Sequence, residues 1–341
     1  MKNKRILLGM SLVLLLTGCT LKLPLPFGSS NSSSQSSSSS GSNTHTGWTS
    51  YNSDTSSQGG NSSSSNSSSS SSQSSSSSSS SSQGGGGSGG GPGDTDYYSG
   101  HYYDSLDASL GDGLNGAFRV ALTKLIKPGP VPTYGGDTGS YCLSKELQQA
   151  DEDPNNSNNM IFFYTQESKT KGLANGDAYW NREHVWPQSL SGGHWGKTNA
   201  GADMLHLRPT YKDTNNSRGN LLYGEVEGSY LKYNGYDYGK KNSTYFEPTD
   251  QVKGDAARII MYVWTAWNGD CPSSVTNVFQ SVELMLRWHL QDLPSEQEAH
   301  RNNYVETTQQ GNRNPFVDHP EYACKIWGDT NAQTKALCGR S

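Results

Sequence analysis

The sequence is short of charge, of hydrophobic residues and of long apolar runs. Charged residues make up 17% and hydrophobic residues 31% of its 341 positions. Read as one globular body, that composition is too polar to bury an ordinary core. The apolar-biased run from Ile6 to Leu16 has eleven residues and is too short to cross a bilayer. A polytopic membrane protein is thereby excluded, and the lack of a glycine-triplet or heptad period excludes a collagen-like or coiled-coil fibre. No repeat of the 20–50-residue kind is visible. Basic residues are not in excess either: 26 Lys and Arg stand against 31 Asp and Glu, a net charge of −5. A basic footprint for nucleic acid is therefore missing at the level of the whole chain. Cysteines number five, and their spacing fits no zinc ribbon.

Three regions of different character lie behind these averages. Lys2, Lys4 and Arg5 precede the apolar run, which ends in Leu16-Thr17-Gly18-Cys19. This pattern suits a signal peptide over residues 1–18 and resembles a bacterial lipobox, in which the Cys is lipid-modified. Lipidation of Cys19 would hold the mature protein on a membrane without a spanning helix. Residues 28–93 are almost only Ser, Gly, Asn, Gln and Thr. Such a stretch cannot repay the cost of ordering its backbone, so 19–93 is expected to be a disordered tether with a reach of roughly 45 Å. Residues 94–341 carry nearly all the aliphatic and aromatic side chains, enough for one sizeable domain. Before residue 95 there are four bases and two acids, which leaves 22 bases against 29 acids beyond it, or −7. A polyanion site there must be a local patch or must recruit a cation.

Export would put four cysteines, Cys142, Cys271, Cys324 and Cys338, in an oxidising compartment. Three pairings are open, and a Cys324–Cys338 bridge would staple the C-terminal tail. Apolar spacing predicts a helix over 116–126, ended by Gly129 and Pro130. Met160 to Thr165 reads as a short buried strand. Asp255 to Trp267 reads as a buried helix and Val278 to Leu290 as an amphipathic one. Ser295 to Glu298 matches a capping box opening a helix to about Gln309. The sum is a helix-rich α+β single domain.

The chemistry concentrates between Trp180 and Asn220. There stand Asn181-Arg182-Glu183-His184-Val185-Trp186-Pro187, then Asp203-Met204-Leu205-His206-Leu207-Arg208-Pro209-Thr210, then Asn215-Asn216-Ser217-Arg218-Gly219-Asn220. Glu183 offers a carboxylate oxygen and Asn215 a carbonyl oxygen, a pair that suits one Mg²⁺ which keeps several waters and takes substrate phosphate. A neutral His184 can accept a proton from water. Together they could hydrolyse a phosphodiester. Arg182, Lys197, Arg208 or Arg218 could hold phosphates. Adjacent residues of a strand face opposite ways, so Glu183 and His184 can share a site only where a strand ends or bends. Pro187 is consistent with such an end, and Asn215 to Asn220 would then open a short helix.

These strings, NREHVWPQS, DMLHLRPT and NNSRGN in that order, resemble the bacterial extracellular endonuclease I family. Leu114 to Ile126, Gly254 to Arg258, Arg301 to Asn303 and Gln310 to Glu321 extend the likeness across about 97–330. The resemblance implies a ββα-metal (His-Me finger) site and a non-specific, cation-dependent endonuclease. It implies His184 as general base and Glu183 and Asn215 as ligands of a divalent cation, Mg²⁺ first, with Ca²⁺ or Mn²⁺ as alternatives. Asp203 and His206 look like supporting groups behind the site. Some family members place an Arg on the scissile phosphate between the two histidine segments, whereas residues 185–202 here hold only Lys197. The phosphate-binding candidates are therefore Arg208, Lys197 and Arg218. The expected substrate is DNA, and RNA with it, cut without sequence preference by a monomer exported to the cell envelope or beyond.

Two other readings compete. A zinc hydrolase could use His184, His194 and His206, but their spacing matches no H-E-x-x-H helix, and Gly192, Gly193 and Gly196 oppose a helix there. A non-catalytic adhesin fits the Ser-rich stalk but leaves the Glu-His-Asn block without purpose.

Overall fold

The structure, a computed structural model, describes residues 98–341 apart from 136–138, 173–178, 271 and 273. The expected leader, the lipid site at Cys19, the tether and Cys271 lie outside the described residues. No helix among those described is long and apolar enough to cross a membrane.

The chain opens with α1 (Ala117–Leu125) and α2 (Leu143–Ala150), then β1 (Glu152–Asp153), β2 (Asn156–Ile161) and β3 (Ser168–Thr170). Next come β4 (Trp180–His184), β5 (Leu207–Tyr211) and α3 (Lys212–Arg218). Four short strands follow: β6 (Leu222–Tyr223), β7 (Leu231–Tyr233), β8 (Tyr236–Lys241) and β9 (Tyr245–Glu247). The remainder is helical: α4 (Asp250–Ala266), α5 (Val282–Gln291), α6 (Glu296–Glu306), α7 (Pro315–Asp318), α8 (Glu321–Trp327) and α9 (Ala332–Leu337). The strands form three separate sheets, β1-β2-β3, β4-β5 and β6-β9-β8-β7, within a mixed helix-and-sheet domain.

The core is built around α4. From Val252 to Ala266 only Lys253 escapes full burial, so this helix is apolar on most sides, as the sequence predicts. Its polar members are compensated. Arg258 donates from Nε and Nη2 to both oxygens of Glu298, at 2.6 and 2.7 Å. Close approach of α4 to the end of α5 requires glycine at 254, where a Cβ would stand 2.0 Å from the Asp292 carbonyl oxygen. The capping box at Ser295 and Glu298 is present, with each side chain bonded to the other's backbone N–H.

Several boundaries differ from the sequence reading, for physical reasons. Helix α5 begins at Val282 rather than Val278, because the Ser281 hydroxyl accepts from Leu284 N–H and caps it there. Helix α6 stops at Glu306, short of Gln309, where Thr307 and Thr308 turn the chain. The expected strand 160–165 persists only to Ile161. Beyond it, Gln166 adopts φ 52° and its N–H returns to the Phe162 carbonyl, so the aromatic run is a buried turn. Periodicity cannot separate these cases, since Phe162, Phe163 and Tyr164 are as buried in a turn as in a strand.

Cys324 and Cys338 form a disulfide across 14 residues, and Cys142 is a buried free thiol. The bridge ties α9 to α8. Loop-closure entropy for a ring of this size predicts that Cys338→Ser lowers unfolding stability by about 3 kcal/mol. Urea denaturation of oxidised wild type and variant measures the difference.

Candidate active site

Strands β4 and β5 pair antiparallel, with Trp180 opposite Tyr211 and His184 opposite Leu207. Helix α3 follows directly after Tyr211 and packs against both strands. Pro209 is tolerated because β4-β5 is a two-stranded sheet in which β5 is an edge. Asn215 therefore lies in the middle of a helix that starts at Lys212, three residues earlier than expected.

His184 is the last residue of β4, and the chain leaves the strand at Val185. The condition for two adjacent side chains to share one site is thus met. Glu183, His184 and Asn215 line one cavity of about 240 Å³ together with Arg182, Arg218 and Asn220.

Each side chain is oriented by named partners. Glu183 is buried, and its Oε1 accepts from the Tyr164 hydroxyl at 2.7 Å and faces Arg218 Nη1 at 3.6 Å. Its Oε2 has no protein donor among the described residues. Burial raises the Glu183 carboxyl to about 7, outweighing Arg218 and Tyr164, which act in the opposite sense. The His184 ring bonds through Nε2 to the Gly201 carbonyl oxygen at 3.1 Å. A carbonyl can only accept, so Nε2 carries the proton and Nδ1 of the neutral ring keeps its lone pair. Burial, against the pull of the Gly201 bond, depresses this histidine to about 4, so the ring is neutral at pH 7. Asn215 donates through Nδ2 to Asn181 Oδ1 at 2.8 Å and to the Arg182 carbonyl at 3.4 Å. Those bonds turn its Oδ1 away from the strand.

The remaining candidates are distributed unequally. Arg218 reaches the cavity but is buried, with Nη2 on the Val185 carbonyl at 2.8 Å and Nη1 on that of Gly219 at 3.1 Å. Arg208 does not line the cavity; it is buried against Asp151 at 3.0 Å and over the Phe163 ring. Lys197 is exposed and outside the lining. Asp203 is fully buried, accepting from Tyr262, Trp267, Gln310 and the Leu205 N–H at 2.6 to 2.8 Å. His206 takes the Trp186 N–H on Nε2 at 3.0 Å and meets the Ala200 carbonyl through Nδ1 at 2.6 Å. Both are buried, and neither lines the cavity. His194 is exposed, and both ring nitrogens of His206 are spent, so the zinc trio is not assembled. Among the described residues no group of three His, Cys, Asp or Glu side chains is placed to hold a metal.

Tyr164, Tyr134 and the Gly201 carbonyl were not singled out by the sequence, although they fix Glu183 and His184. Each is distant in the chain and carries no local signature. Trp180 and Trp186 are fully buried in the core. Arg313 lies in a structural network, bidentate to Asp318 at 2.7 Å.

A cavity lined by a carboxylate, a neutral histidine and a carboxamide has the equipment for hydrolysis of a phosphate ester. A sequence model of the endonuclease I family matches residues 116–321. That match spans more than half the chain, and the protein belongs to this family of nucleases, which hydrolyse phosphodiester bonds.

Two relatives place it more closely. An extracellular ribonuclease of Bacillus subtilis (strain 168) is 34% identical over 239 residues, covering 66% of this chain and 78% of its own. An extracellular ribonuclease of Bacillus amyloliquefaciens is 38% identical over 194 residues, 53% of this chain and 65% of its own.

Proposed function

We propose that the protein is an exported, metal-dependent endonuclease that cuts RNA and DNA without sequence preference, with a site of the ββα-metal kind. The observation that carries this reading is the His184 tautomer. Its Nε2 donates to the Gly201 carbonyl, which leaves Nδ1 bare, and His184 lines the same cavity as Glu183 and Asn215. Nδ1 takes the proton from a water molecule as that water's oxygen forms its bond to phosphorus. The bond from phosphorus to the leaving oxygen then breaks, that oxygen takes a proton from solvent water, and the proton on Nδ1 is released to solvent.

The donor set fits one divalent cation, Mg²⁺ before Ca²⁺ or Mn²⁺. Glu183 Oε2 has no protein donor among the described residues, Asn215 Oδ1 is turned from the strand, and hard oxygen ligands suit such ions. When bound, the ion would stabilise negative charge on the phosphoryl and leaving oxygens. It would also reverse the upward push on the Glu183 carboxyl. Grip on phosphate rather than on base edges explains low sequence preference.

Export is supported by the leader pattern, by the disulfide and by the extracellular relatives. Lipidation of Cys19 with a Ser/Gly tether would hold a monomeric enzyme at the cell surface.

The test is cleavage of RNA and of supercoiled plasmid by the full chain with Mg²⁺, stopped by a chelator. Glu183→Gln and Asn215→Ala are each expected to weaken Mg²⁺ binding by at least about tenfold. Calorimetry giving the wild-type affinity in both variants would remove them as ligands.

A further inference from the structure

We propose that Arg182 grips the scissile phosphate of the nucleic acid, with the Tyr134 ring as the platform that aims it. The inference rests on the reading of the cavity as a nuclease site and supplies the phosphate-holding group that reading lacks.

A folded region with a net charge of −7 must still seat a polyanion, so a cation in the cavity matters. Arg218 is buried with both terminal nitrogens engaged by backbone carbonyls and Glu183, while Arg208 and Lys197 lie outside the lining. Arg182 remains. The two-residue period of β4 puts it on the same side of the strand as His184, and it lines the cavity.

Its guanidinium is anchored at one nitrogen only. Nη1 donates to the Tyr134 carbonyl at 2.9 Å and to the Ser144 hydroxyl at 3.4 Å. Nε and Nη2 have no protein acceptor among the described residues. These two nitrogens form the edge of the guanidinium that makes paired bonds to two oxygens of a phosphate. The Tyr134 ring lies 4.4 Å from the guanidinium carbon and, 6.0 Å from the His184 ring centre, stacks on the imidazole within 28°. One aromatic ring thus holds the proposed base and the proposed phosphate ligand side by side. Loss of a guanidinium held this way removes charge stabilisation that rises as the phosphoryl oxygens gain charge.

Arg182→Ala in the full chain is expected to lower kcat by about a hundredfold. Arg182→Lys should recover only part of it, because an ammonium cannot make two parallel bonds. Added methylguanidinium should restore measurable activity to the alanine variant. In a His184→Ala background, fluorescence anisotropy with a labelled oligonucleotide reads affinity without cleavage, and adding Arg182→Ala should weaken binding. Wild-type kcat and affinity in Arg182→Ala would overturn the proposal. So would a loss of rate that ignores methylguanidinium and leaves affinity intact. Full activity of His184→Ala beside a large Arg182→Ala loss would keep the phosphate grip and remove the base assignment.

Discussion

His184→Ala is expected to lose between about a hundredfold and ten-thousandfold of the cleavage rate, the range a positioned acid or base supplies. The loss should fall on kcat rather than on nucleic-acid affinity, because Nδ1 meets water rather than the phosphodiester. The pH profile follows from the same geometry. Burial holds this histidine near 4, so the base form dominates throughout the neutral range. Under the proposed reading, the ionisation that limits activity toward acid is instead that of Glu183, held near 7 by burial. Below that pH a proton would compete with a cation at this carboxylate. The apparent Mg²⁺ requirement should therefore rise as pH falls from 7 to 5, and excess Mg²⁺ should restore the rate. Steady-state kinetics across pH at two Mg²⁺ concentrations would check both statements. Wild-type rates in His184→Ala would dismiss the histidine from the mechanism.

The second large effect concerns stability. Asp151 is fully buried and faces two arginines, Arg208 at 3.0 Å and Arg301, to which it is directly bonded. Arg301 also donates to the carbonyls of Met204 and Leu207, at the entry to β5. One carboxylate thus serves two guanidiniums beneath the strand that positions the site. Asp151→Asn leaves both cations buried without a counter-charge, a change expected to cost about 3–5 kcal/mol. That is a large share of the roughly 5–15 kcal/mol that stabilises an ordinary domain. Chemical denaturation with a constant slope would measure it. A loss below about 1 kcal/mol would mean that water or relaxation compensates the pair.

Glu183, His184 and Asn215 were legible in the sequence because their chemistry is local to the residue type. Two oxygen donors and an imidazole can be proposed as one site from residue type alone, and the three side chains line one cavity. Helix α4 and the capping box of α6 were legible for a similar reason, since apolar spacing and cap residues act within a few positions. What escaped acts at long range. Tyr164 reaches Glu183 across 19 positions and Gly201 reaches His184 across 17, and neither has a flanking pattern to mark it. The arginines show the same limit. Nothing in the string distinguishes Arg208, locked under the strand, from Arg182, which faces the cavity; only packing separates them.

The amide lock on Asn215 has a consequence for what that position can accept. Its nitrogen stands between two acceptors, Asn181 Oδ1 and the Arg182 carbonyl. Aspartate, the residue more often met beside a hard cation, would press a carboxylate oxygen against both. Among side chains of this length, only the carboxamide donates to both of these acceptors and still keeps an acceptor oxygen of its own. The position therefore trades a full negative charge for fixed aim, and under the proposed reading any anionic contribution to a cation in this cavity would fall on Glu183.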